Sequence, residues 1–133
     1  MCEPDLLDFA GHYTAAWCSQ DAASVAACYS QDGSLTINDG VPAVGRSAIT
    51  AAAQSFMTAF PDMRVVMDSL RIENGQTIYR WTLAGAHTGP GGTGAQVRIS
   101  GHEVWKLADG LIAESQGHFD SAEYERQLAR GAE

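Results

Sequence analysis

Apolar side chains recur at spacings of three and four near the start of the chain, at Leu6, Phe9, Tyr13 and Trp17. A single stripe at that period predicts an amphipathic helix over residues 5–19. Asp21 stands where it can cap a short second helix, roughly 22–29, with Val25 and Tyr29 facing inward. Residues 34–39 alternate instead, with Leu35 and Ile37 on one face, and predict a short strand. Asp39-Gly40 and Pro42 then mark a loop. Ser47 is placed to cap a third helix, about 48–59, carrying Ile49, Ala52, Ala53 and Phe56 inward, and Phe60-Pro61-Asp62 ends it.

After Pro61 the period falls to two. Strands are predicted at 63–72, 77–87, 96–107 and 111–119, with an Asn74-Gly75 turn between the first pair. The odd face of the second strand carries Tyr79, Trp81, Leu83, Gly85 and His87. Asp120 and Glu123 form a capping-box pattern before a last helix. Helices first and strands after predict an α+β fold, its helices gathered on one face of a largely antiparallel sheet. A strong bend in that sheet would enclose a pocket beneath the helices.

One position breaks the alternation. In Val97–Leu107 the odd face reads Val, Ile, Gly, Glu, Trp, Leu, and the even face Arg, Ser, His, Val, Lys. Glu103 is the one ionisable group on the dry face. A carboxylate there is costly unless it is paired, hydrogen-bonded or protonated. An ion pair with Arg80 or Arg64, a bulge that tips it to solvent, and a ligand each answer it.

Composition narrows the function classes. The 133 residues suit one domain, 1–133, with one core. With 45% hydrophobic and 18% charged residues, the chain has the make-up of a soluble globular protein. A net charge of −8 argues against nucleic acid and against anionic membranes. No apolar run approaches the ~20 residues of a membrane span, and the N-terminus lacks the pattern of a secretory signal. Cys2, Cys18 and Cys28 are odd in number and have no zinc-like spacing. Cys18 and Cys28 fall in predicted helices and read as small buried hydrophobes, so a reducing, cytoplasmic setting is expected.

Four polar groups share faces with core residues: Tyr13, Asp39, His87 and Glu103. Convergence would give a dry pocket an acid, a base and hydrogen-bond donors. Each has a plainer reading as well. Tyr13 can be a core tyrosine with a satisfied hydroxyl, Asp39 a turn residue before Gly40, and His87 a loop-packing residue. Gly89–Gly94 does not run from a strand into a helix, so it reads as a flexible hairpin and a candidate lid rather than a phosphate loop.

The last hairpin has two registers. A two-residue Asp109-Gly110 turn pairs Ala108 with Leu111, sets Glu103 against Gln116 and turns Glu114 and His118 inward. A three-residue turn pairs Leu107 with Leu111, sets Glu103 against Ser115 and turns Ala113, Gly117 and Phe119 inward. The second is preferred because it buries small and apolar residues.

The helix order, Val44-Gly45-Arg46-Ser47-Ala48-Ile49, Thr88-Gly89 after His87, and Ala108-Asp109-Gly110-Leu111-Ile112-Ala113-Glu114 together resemble the SnoaL-like polyketide cyclases. These share the nuclear-transport-factor-like superfamily with ketosteroid isomerase. The resemblance implies a cone of curved strands closed by helices, a homodimer, and acid–base chemistry without a cofactor or metal. The cyclases' strand histidine and aspartate fall on Glu103 and Gly117, and neither is retained. The isomerase's tyrosine, base and oxyanion-hole carboxylic acid fall on Tyr13, Asp39 and Glu103. The expectation is therefore an isomerase, cyclase or lyase. Asp39 would be its base, Tyr13 and neutral Glu103 its donors, and His87 would assist at the mouth. Its ligand would be a small apolar molecule with carbonyl or hydroxyl oxygens, held by Trp17, Phe56, Trp81, Trp105 and Phe119. A pocket that binds without turnover, or a dimerisation domain of the same fold, is the alternative.

Overall fold

A computed structural model describes residues 3–130. The chain runs α1 (Glu3–Cys18), α2 (Ala22–Ala26), β1 (Tyr29–Ile37), β2 (Ala43–Val44), α3 (Arg46–Ala59), β3 (Arg64–Glu73), β4 (Gln76–Ala86), β5 (Gln96–Ala108), β6 (Leu111–Phe119) and α4 (Ser121–Arg130). The strands form one curved sheet in the order β2-β1-β6-β5-β4-β3, antiparallel except where β1 lies parallel to β6. This is the expected α+β architecture. Among the described residues no helix is long and apolar enough to cross a membrane.

The core lies between the inner face of the sheet and the helices. The α1 stripe supplies Leu6, Ala10, Tyr13 and Trp17, α3 supplies Ile49, Ala53 and Met57, and the strands supply Val65, Tyr79, Ile99, Trp105 and Ile112. Tyr13 is the hub of an aromatic cluster. Its ring lies edge-on to Tyr79, Trp105 and Trp17 at centroid distances of 5.5, 5.2 and 6.3 Å, and Trp105 stacks on Tyr79 at 4.8 Å. Such contacts add roughly 0.5–1.5 kcal/mol each beyond area burial and hold the α1 stripe in one place on the sheet.

Several local expectations are corrected. The helix read as 22–29 stops at Ala26, and Tyr29 opens β1, which reaches back that far because it pairs with β6. Asp21 sits at the α2 N-cap but its side chain makes no capping bond, and α3 is entered through Gly45 at φ 89° rather than through Ser47. Asp39 lies past the end of β1 at φ 60°. Cys18 is exposed and Cys28 is half-buried in the turn before β1, so neither is a sealed helix residue; Cys2 lies outside the described residues. At α4, Asp120 accepts the Glu123 amide at 3.0 Å, the cap that the sequence pattern predicts.

The last hairpin keeps neither expected register throughout: the preferred three-residue turn, with Leu107 against Leu111 and Glu103 against Ser115, does not form. Asp109 and Gly110, at φ 53° and 77°, make the two-residue turn, and Ala108 pairs with Leu111. A bulge then skips Ala113, so Lys106 pairs with Glu114, Trp105 with Ser115 and Glu103 with Gly117. One extra residue inverts the face of everything after it. Ile112, Ser115 and Gly117 are therefore all buried, where an unbroken alternation would have buried only part of this set.

Candidate active site

Glu103 stands at the middle of β5 and is 7% exposed. Its Oε1 accepts three hydrogen bonds: from the Tyr13 hydroxyl at 2.9 Å, the Trp105 indole N–H at 3.0 Å and the Ser115 hydroxyl at 2.6 Å. Each donor is placed by a different rule. Tyr13 comes down from the buried stripe of α1. Trp105 lies two residues along the same strand, on the same face. Ser115 is turned inward by the Ala113 bulge. Tyr29, from β1, stands behind them with its hydroxyl 2.8 Å from that of Tyr13. The ion pair with Arg80 or Arg64 does not form. Arg80 pairs across from His102 on the outer face, Arg64 is exposed at the start of β3, and neither meets Glu103.

All three bonds converge on one oxygen. Oε2 takes none of them and is not sealed in, since Trp81 Nε1 alone among the described buried side-chain nitrogens and oxygens lacks a partner. Burial pushes the Glu103 carboxyl above its usual range, while the Ser115, Trp105 and Tyr13 donors, with the Tyr29 hydroxyl behind them, pull the other way by stabilising the ionised form. Burial also drives the Tyr13 and Tyr29 phenols well up, with the Glu103 charge adding to it, so both remain neutral donors.

Glu103 opens onto a cavity of about 60 Å³ lined by Trp17, Leu35, Ile37, Phe56, Val65, Tyr79, Trp81, Leu83, Ile99, Gly117, His118 and Phe119. A water needs roughly 10–15 Å³ on this measure, so the space suits a handful of heavy atoms. Its floor is open at Gly117, directly opposite Glu103, where a β-carbon would meet only Thr36 O at 3.5 Å and Glu103 Cγ at 3.6 Å.

The expected site residues separate into groups. Trp17, Phe56, Trp81 and Phe119, four of the expected ligand contacts, line the cavity. Trp105 does not: it is fully buried, and its indole is committed to Glu103. Tyr13 stands behind the carboxyl rather than in the cavity. Asp39 is exposed in the turn after β1 and borders a separate, open cleft of about 570 Å³ with Asp68, Arg80, His102 and His118. The positive φ that turns the chain also carries this carboxylate beyond the inner face. His87 packs on Phe60 at 5.3 Å, and its Nδ1 accepts the Thr93 amide at 3.0 Å. The 88–94 loop is docked, with Gly89 N bonded to Ala59 O at 3.2 Å and Gly94 N to His87 O at 2.8 Å. None of its residues lines the cavity, so it is no lid in this structure.

Sequence reasoning missed Tyr29, Ser115 and the indole N–H of Trp105 as partners of the carboxyl. Trp105 was legible from its i,i+2 spacing on the strand. The preferred register sets Ser115 against Glu103 but gives it no hydrogen-bonding role, and the bulge pairs it with Trp105 instead; Tyr29 needed the parallel pairing of β1 with β6. Among the described residues no group of three or more His, Cys, Asp or Glu side chains could hold a metal ion.

Known structures share this architecture. TsrD from Streptomyces laurentii is 21% identical, with a TM-score of 0.84 over 100% of this chain and 99% of its own. A protein of ketosteroid isomerase-like fold from Catenulispora acidiphila, in complex with trimethylamine, is 13% identical, with a TM-score of 0.79 over 91% of this chain and 92% of its own. An LEH-like epoxide hydrolase from M. tuberculosis is 15% identical, with a TM-score of 0.75 over 96% of this chain and 92% of its own. At these identities the likeness is one of fold. No curated protein matches the sequence. A family model for SnoaL-like polyketide cyclases matches residues 8–128, nearly the whole of the chain. The chain belongs to the SnoaL-like polyketide cyclase family.

Proposed function

We propose that this protein is a cofactor-free enzyme of isomerase, cyclase or lyase type, with Glu103 as its proton-transferring group. Its ligand is a small, mostly apolar molecule bearing a carbonyl or hydroxyl oxygen. One observation carries the reading: in an apolar cavity, one oxygen of a buried carboxyl is held by three donors and the other is left free. The three donors fix the group and favour its ionised form, and burial, the larger effect, raises its pKa. A carboxyl lifted toward neutrality both accepts and returns a proton efficiently, which typically contributes roughly 10²–10⁴ in rate. Asp39 and His87 are not among the cavity residues, and His118, which borders both the cavity and the outer cleft, packs near His102, so we assign this role to Glu103. The small ligand and the hydrolytic chemistry named for two of the structural neighbours fit a site of this kind.

The test needs no knowledge of the natural substrate. Deuterium exchange into the α-positions of cyclohexanone in D₂O, followed by proton NMR, reports enolisation directly. The wild type is expected to accelerate exchange, Glu103→Gln to lose that acceleration by at least about 10²-fold, and Asp39→Asn to keep it. Equal exchange in wild type and Glu103→Gln sinks the assignment. The cavity holds one carboxyl with no second acid–base carboxyl beside it, and this favours a second reading, binding without turnover. Saturable binding of the ketone with no acceleration by the wild type would select it.

A further inference from the structure

Trp81 Nε1 is the one buried side-chain nitrogen or oxygen among the described residues without a hydrogen-bond partner. Such an atom calls for an explanation, since nearly all buried donors in native proteins find an acceptor. The indole lies where only glycine leaves room. A β-carbon at Gly101 would stand 2.6 Å from Trp81 Cζ2 and 2.4 Å from His118 O, and Phe119 closes the slot edge-on at 6.1 Å.

Its place relative to Glu103 gives it a partner. Trp81 pairs across the sheet with Gly101, and Tyr79 pairs with Glu103. Trp81 and Glu103 are thus diagonal neighbours on the same inner face, a relationship that spans about 7–8 Å. Both line the same cavity, whose other lining side chains are mostly apolar. One carries a donor with nothing to bond, the other an oxygen with nothing bonded to it.

We propose that Trp81 reads the ligand's oxygen: its Nε1–H donates to a carbonyl oxygen while Glu103 Oε2 faces the adjoining carbon. The proposal rests on the cavity being the ligand site. It names the substrate class as a small enolisable ketone or aldehyde. In the reaction the α-C–H bond breaks and its proton forms an O–H bond on Glu103. The freed electron pair forms the C=C bond, and the carbonyl π pair moves onto the oxygen, where the indole N–H stabilises it. Return of the proton to carbon or oxygen completes the turnover and regenerates the carboxylate. Nε1 is sealed in this structure, and the proposal includes a turn of the indole on ligand binding that brings Nε1 to the cavity.

The indole region of a proton–nitrogen correlation spectrum tests this, with the Trp81 signal identified by its loss in Trp81→Phe. Cyclohexanone is the probe and methylenecyclohexane its oxygen-free analogue. The ketone is expected to move the Trp81 indole proton downfield, and the analogue to leave it in place. Trp81→Phe is expected to weaken ketone binding about tenfold more than analogue binding, the scale of one neutral hydrogen bond. Equal effects of the two probes on the indole, equal weakening of both by Trp81→Phe, or no binding of the ketone to the wild type would overturn the proposal. Glu103→Gln separates the two ideas. If the ketone still shifts the indole while exchange is not Glu103-dependent, the proton-transfer role fails and the Trp81 assignment stands.

Discussion

At the scale of the residue, Glu103 is under opposed forces. Burial favours its neutral form, and three donors on Oε1 favour the ionised one. Burial is the larger, so the folded-state value lies above the ordinary glutamate value of about 4.3. The stability consequence follows from linkage. A carboxyl raised in the folded state binds its proton more tightly there than in the unfolded chain, so folding is favoured at low pH. That advantage is lost as pH rises from the unfolded value through the folded one. Glu103→Gln cannot ionise and should gain stability relative to wild type as pH rises from about 4 to 8. Thermal melts across that range check it; a difference that stays flat or reverses is the contrary result. Ser115→Ala removes a donor to the ionised form. It should raise the Glu103 value further, move the exchange profile to higher pH, and cost about 1–3 kcal/mol.

At the scale of the element, the site depends on where strands end and where they slip. β6 ends at Phe119, opposite Gly101, so the stretch of β5 before Gly101 has no strand on that side. The α4 side chain Gln127 fills the gap, accepting from Arg98 N at 2.6 Å and donating to Arg98 O at 2.9 Å. An uncovered edge of this kind leaves backbone groups unpaired. Gln127→Ala should destabilise the fold by about 1–3 kcal/mol, with faster amide exchange at Arg98 as the local signature. Urea unfolding with exchange NMR measures both. Much of this level was legible in the sequence. The helix stripe, the strand periods and the turn residues placed nearly every element. The Ala113 bulge was not legible, because the local pattern around it fits either turn length. Only the pairing of β6 with both β5 and β1 fixes which residue is extra.

At the scale of the whole molecule, the curved sheet brings α1, β1, β5 and β6 to one carboxyl. It also leaves an outer face that carries Arg80, His102 and His118, with the two imidazoles 5.1 Å apart. Partial burial and the charges of His118 and Arg80 hold His102 below the usual imidazole range. We propose the homodimer that the family resemblance implies; exposed Val66 and Ile72 on the edge strand β3 offer apolar surface for it to cover. Light scattering after size exclusion should then give twice the mass of one chain at micromolar concentration; a single-chain mass would remove the dimer from the reading.

The sequence by itself determined the element order, the α+β class, the buried stripe of α1 and the anomaly of Glu103. All of these are local, written in periods of two and 3.6 and in turn residues. Tertiary structure alone decided which polar groups meet. Tyr13, Trp105 and Ser115 join Glu103 because a helix, a strand and a bulged hairpin converge on it, while Asp39 and His87 share the parity of core residues and end up elsewhere. Parity fixes the face a side chain takes while the strand lasts, and both of these residues stand just past a strand end. There the turn geometry, and not the alternation, sets the direction.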